Sequence, residues 1–153
     1  MTLFEKLSAD LKSAMLKKDE KRLGVLRLLI SSIKNKVIEA QMKGSADLVL
    51  KDEEIVSVLN TEAKKRRESR DIFEKNNRHD LSEKESQELD IVLEYLPKQM
   101  DKSEIEIFLK DLIKKENISD FNSLMKKASP LLKGRADSKE VSVIARLILE
   151  AKK

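Results

Sequence analysis

Leu23, Leu26, Ile30, Ile33 and Val37 follow one another in alternating steps of three and four residues. A chain that winds at 100° per residue brings such positions onto one stripe, whereas a strand would scatter them over both faces. The spacing predicts a long amphipathic helix, opened by Asp19 and stopped at Gly44. Leu3, Leu7, Leu11, Ala14 and Met15 repeat the pattern in a first helix to about residue 16, with Thr2 and Glu5 as its capping box. Three glycines and two prolines in 153 residues leave few interruptions, and 3% aromatic content gives little material for a sheet. The expected fold is all-α.

The stretch 44–50 reads as a loop. A third long helix spans 52–76, opened by Asp52, Glu53 and Glu54, whose charge suits the positive end of the helix dipole. The run 76–80 then makes a polar break, with Asp80 turning the chain and His79 solvated. Ser82 with Glu85 suggests a capping box for a fourth helix ending at Tyr95-Leu96-Pro97. Pro97 divides the chain into a four-helix N-terminal bundle, 1–97, and a three-helix tail, 98–153. Within the tail, Asp101 with Glu104 starts one helix, a short one runs from Phe121 to about Ala128 and is closed by Pro130, and the last begins after Gly134 with Asp137 and Glu140.

The residues exclude several chemistries. Without cysteine there is no thiol nucleophile, disulfide or thiolate metal site, and a single histidine cannot assemble a His-based cluster. No Gly-x-Ser-x-Gly elbow occurs, and Gly24, Gly44 and Gly134 stand apart, so there is no glycine-rich phosphate loop. The reading is therefore of a chain without metal, cofactor or catalytic residues. The N-terminal residues carry charges that spoil a signal segment, and no apolar run approaches the ~18 residues of a membrane span. The expected location is cytoplasmic.

Two groups of residues are candidates for function. Residues 1–97 balance 19 Lys+Arg against 19 Asp+Glu, but residues 98–153 hold 13 against 9, so the whole net charge of +4 lies in the tail. There Lys126, Lys127, Lys133, Arg135 and Lys139 gather around a turn and a helix N-terminus, where backbone amides suit a phosphate. Few aromatics argue against stacking of single-stranded bases and for recognition of folded RNA by shape and phosphate. In the third helix, Glu62, Arg66 and Ser69 fall on the same stripe as Ile55, Leu59 and Phe73, so polar groups stand where apolar ones belong. Either the helix overshoots the bundle and carries them into water, or they form a polar cleft with Lys65 and with Arg27 and Lys34 of the second helix.

The ordered set Lys18-Asp19, Arg22-Leu23, Leu26-Arg27, Ser32-Ile33-Lys34-Asn35, then Lys64 to Ser69, then Glu94-Tyr95-Leu96-Pro97, then Lys133-Gly134-Arg135-Ala136-Asp137 resembles the GatB/YqeY-like proteins along essentially the whole chain. That resemblance implies a helical two-domain fold whose tail is similar to the C-terminal domain of the B subunit of tRNA-dependent amidotransferases. It further implies a tRNA-binding or amidotransferase-associated accessory role, with tRNA, an amidotransferase or an aminoacyl-tRNA synthetase as partner, and RNA contacts at the five tail cations. The family's carbon–nitrogen ligase label, with glutamine as nitrogen donor, is not expected of this chain alone, because neither the amidase serine motif nor a metal-binding carboxylate cradle is present. The alternative is a helical protein–protein adaptor or homodimer using the stripe Leu23 to Val37. An enzyme acting through Glu62 and Arg66 comes third.

Overall fold

A computed structural model describes residues 1–46 and 49–151. Among them are seven helices and no strand: α1 (Leu3–Lys17), α2 (Glu20–Met42), α3 (Asp52–Lys75), α4 (His79–Leu93), α5 (Lys102–Glu116), α6 (Phe121–Leu132) and α7 (Ser138–Ala151). The fold is all-α. Part of the 44–50 loop, residues 47 and 48, lies outside the described residues.

The helix starts follow from local chemistry. At α1 the amide of Glu5 donates to Thr2 Oγ1 (3.1 Å) while the amide of Thr2 donates to Glu5 Oε2 (2.8 Å), which satisfies two amides that have no partner within the helix. Asp19, Asp101 and Asp120 accept from the amides of Arg22, Glu104 and Ser123 at 3.1, 2.8 and 2.9 Å, and so start α2, α5 and α6.

Two boundaries differ from the sequence reading. Ser82 does not cap α4; it is buried in the helix, which begins at His79. Asn77 adopts a left-handed conformation (φ 57°), and the Arg78 amide returns to the Phe73 carbonyl at 2.8 Å, so the chain reverses at once after α3 and the next helix needs no longer approach. His79 is exposed in the first turn of α4, with Nδ1 3.1 Å from a Glu74 carboxylate that its company holds below the usual glutamate value. Nor does Pro130 close α6, which runs through it to Leu132. Pro130 forfeits one amide donor in the last turn, but continuing the helix carries Leu132, four residues beyond Ala128, to 2% exposure in the core.

The chain forms two compact units, Met1–Leu96 and Pro97–Lys153. In the first, α3 and α4 make the most extensive pair, α2 packs against both, and α1 lies on α2. Its core holds Leu7, Leu26, Leu29, Ile33, Ile55, Leu59 and Val92, with the stripe residues Leu26, Ile30 and Ile33 all buried. In the second, Ile105, Leu109, Leu124, Ala128, Val141 and Ala145 form a separate core in which α7 packs on α5 and α6.

Candidate functional site

The polar stripe of α3 is inside the first unit, not beyond it. The side chains of Glu62 and Arg66 retain only 9% and 7% of their exposure, and Arg66 Nη1 donates to Glu62 Oε2 at 3.1 Å. Ser32 of α2 donates its hydroxyl to Glu62 Oε1 at 3.3 Å, and Lys65 Nζ reaches the same oxygen at 3.4 Å. From α4, Glu88 Oε2 lies 3.7 Å from Arg66 Nε, a buried atom that makes no hydrogen bond. Burial and the neighbouring Glu88 raise the Glu85 carboxyl above the ordinary glutamate value, against the opposing pull of Arg66 and Lys84.

Of the residues assigned to a polar cleft, the structure brings together Glu62, Lys65 and Arg66, with Ser69 half-buried farther along the stripe. Arg27 and Lys34 are exposed. They lie about 140° and 160° around α2 from Ser32, the position that meets Glu62, so they do not join the cluster at that contact. Sequence reasoning missed Ser32, Glu85 and Glu88 as members. Glu85 was visible in principle, because it interrupts the stripe Ser82, Leu89, Val92 just as Glu62 interrupts that of α3. Carboxylates surround Arg66, and within this cluster of Glu62, Lys65, Arg66 and Glu88 it is Lys65 that is largely open to water. The carboxylates neutralise Arg66 within the unit, and the cluster links α2, α3 and α4.

A second network closes the other side of this unit. Arg22 grips Glu94 with both ends of its guanidinium, Nη1 to Oε2 at 2.7 Å and Nη2 to Oε1 at 2.9 Å. That contact holds the Glu94 carboxyl below its usual range. Tyr95 Oη donates to Asp10 Oδ2 at 2.5 Å, Lys6 Nζ lies 5.5 Å from the ring centroid, and burial together with Asp10 keeps the phenol from ionising until well above its usual value. The family-like fragments Asp19, Arg22 and Glu94-Tyr95 thus meet as a clamp that ties the end of α4 to α1 and α2.

In the second unit, Lys126, Lys127, Lys133, Arg135 and Lys139 are all exposed. Lys126 and Lys133, seven residues apart, share the face of α6 opposite Leu124 and Ala128. Lys127 has Glu116 at 3.9 Å. No carboxylate among the described residues forms an ion pair with Lys126, Lys133, Arg135 or Lys139. The turn that carries them is fastened: Gln99 Nε2 donates to the Gly134 carbonyl at 2.6 Å and the Met100 amide to the Arg135 carbonyl at 2.9 Å. Gly134 takes φ 79°, open to glycine without strain. At the start of α7 the Lys139 amide already points to Asp137 Oδ1 at 3.4 Å, so that carboxylate occupies the place an anion would take on the helix end, and the side chains remain as the cationic feature.

Among the described residues no group of His, Asp or Glu side chains is arranged to hold a metal ion, and no helix is long and apolar enough to cross a membrane.

A family model described as Yqey-like protein matches residues 4–149, nearly the whole chain. This chain belongs to the Yqey-like family. Curated relatives include altered inheritance of mitochondria protein 41 of Lachancea thermotolerans, 38% identical over 135 residues, which are 88% of this chain and 66% of that protein. The protein of the same name in Vanderwaltozyma polyspora is 36% identical over 72% of this chain and 60% of its own length. That of Saccharomyces cerevisiae strain YJM789 is 32% identical over 90% and 64% respectively. The Yqey-like chain thus spans less than two thirds of the length of these relatives. Their names, each ending in "mitochondrial", overturn the cytoplasmic expectation. The absence of cysteine and of an apolar span suits any reducing aqueous compartment, so those features never separated one from another.

Proposed function

We propose that this Yqey-like protein is a non-catalytic module that binds folded RNA, with tRNA as the target, and serves as an accessory to an amidotransferase or aminoacyl-tRNA synthetase. The observation that carries the reading is the set of exposed cations that no carboxylate among the described residues pairs, Lys126, Lys133, Arg135 and Lys139, grouped at the end of α6 and the turn into α7. Solvated lysines and arginines of this kind meet phosphates without first breaking an ion pair, and the release of counterions supplies the free energy. The buried Glu62–Arg66 pair offers no phosphate contact, and this supports placing the RNA on the tail.

The test is a fluorescence-anisotropy titration with total tRNA at two salt concentrations, beside a variant with Lys126, Lys127, Lys133 and Arg135 changed to Ala. Each lost phosphate contact lowers the slope of log K against log salt by about 0.7 to 0.9. A shallower slope in the variant supports the reading; absence of binding at low salt, or identical slopes, removes it. Failure would favour the adaptor reading, but not through Leu26, Ile30 and Ile33, which the protein's own core consumes. The apolar side chains that α2 leaves exposed are Leu28, Ile38 and Met42.

A further inference from the structure

The second unit carries a groove of about 770 Å³ between α5 and α7 that shares no residue with the cations of α6. Its floor and α7 wall are apolar: Ile113, Ile118, Ile144, Leu147 and Ile148. Leu147 keeps 61% of its surface exposed although it stands at the edge of a well-formed core. The opposite rim, on α5, is cationic. Lys102, Lys110 and Lys114 line it, and the one carboxylate there, Glu106, is engaged by Lys110 at 2.9 Å. Among the described residues no carboxylate forms an ion pair with Lys102 or Lys114, which stand at opposite ends of a rim about 18 Å long at 1.5 Å per residue.

We infer that this groove docks an acidic amphipathic helix of a partner protein, whose apolar stripe lies on Leu147, Ile144 and Ile118 and whose carboxylates along one flank meet Lys102 and Lys114. The asymmetry of the groove selects this occupant. A nucleic acid has no use for an apolar wall opposite the lysines, and an acyl chain laid in a groove open along its length would keep much of its surface in water. A helix of three to four turns matches the rim, covers Leu147 and pairs both free ammonium groups.

The probe is a synthetic helical peptide with leucines at i, i+3, i+4 and i+7 and glutamates along one flank, titrated into the full chain and followed by amide chemical shifts. A second peptide has the same leucines and lysines in place of the glutamates. The glutamate peptide is expected to shift amides of α5 and α7, and L147D and the double variant K102E/K114E are each expected to weaken it by about 10-fold. The lysine peptide is expected to bind only K102E/K114E. Equal binding of both peptides to the unaltered protein would overturn the inference, as would shifts that avoid the groove. Groove shifts produced by decanoate or phosphatidylglycerol vesicles, without any from the glutamate peptide, would overturn it in favour of a lipid. Leu147, Lys102 and Lys114 are exposed, and unchanged helical circular dichroism and melting of the variants would separate lost docking from lost folding.

Discussion

Replacing Arg66 by methionine removes the cation from a carboxylate that cannot easily reach water. Glu62 would keep Ser32 and Lys65 at 3.3 and 3.4 Å, but Lys65 is 65% exposed and its interaction is correspondingly screened. Breaking a buried pair on one side costs about 3 to 5 kcal/mol, and the residual partners place Arg66→Met at the lower end, about 3 kcal/mol. The double variant E62L/R66M removes both charges and fills the space with apolar groups, so it is expected to recover most of that loss. The measurement is urea unfolding followed by tyrosine emission. Tyr95 is the only tyrosine, the chain has no tryptophan, and Tyr95 is 6% exposed in the first core, so the signal reports that unit. With a denaturant slope of roughly 1.5 kcal/mol per molar, the single variant should lower the midpoint by about 2 M and the double variant by much less. A loss under about 1 kcal/mol in the single variant would mean the pair behaves as a solvated one, and an equal loss in both would mean that packing, not charge, holds the site.

Two further predictions concern acid. Arg22 lowers the Glu94 carboxyl, so the stability from this clamp is present above the ordinary glutamate value near 4.3 and is lost as pH falls through the lower, folded value. Arg22→Gln should therefore cost about 0.5 to 1 kcal/mol at pH 7, as expected of a partly exposed bidentate pair, and the deficit should shrink on acidification in the same urea assay. Glu85 has the opposite sign. Its raised value means that ionisation opposes folding as pH rises above the ordinary glutamate range, so Glu85→Gln should stabilise at pH 7 and be neutral at low pH; a stability gain that persists under acid would refute that reasoning.

Each helix in this protein was legible from residues close in the chain, because hydrogen bonds and caps reach only three or four positions. Thr2 with Glu5, and Asp19, Asp101 and Asp120, needed no distant partner to start their helices, and the stripe Leu26, Ile30, Ile33 declared its own buried face. The exposure of Lys126 and Lys133 likewise fits their place opposite Leu124 and Ala128. What the sequence left open depended on neighbours many residues away. Ser82 has the pattern of a cap, yet the tight reversal at Asn77 put it inside a helix, and the core site waiting for Leu132 carried α6 through Pro130. Periodicity alone left Glu62 and Arg66 leaning toward a solvated overshoot, and they proved buried because α2 supplied Ser32 and α4 supplied Glu88. Local periodicity fixes which residues share a face, but the desolvation of that face is set by whichever helix packs on it, and only the tertiary fold decides that.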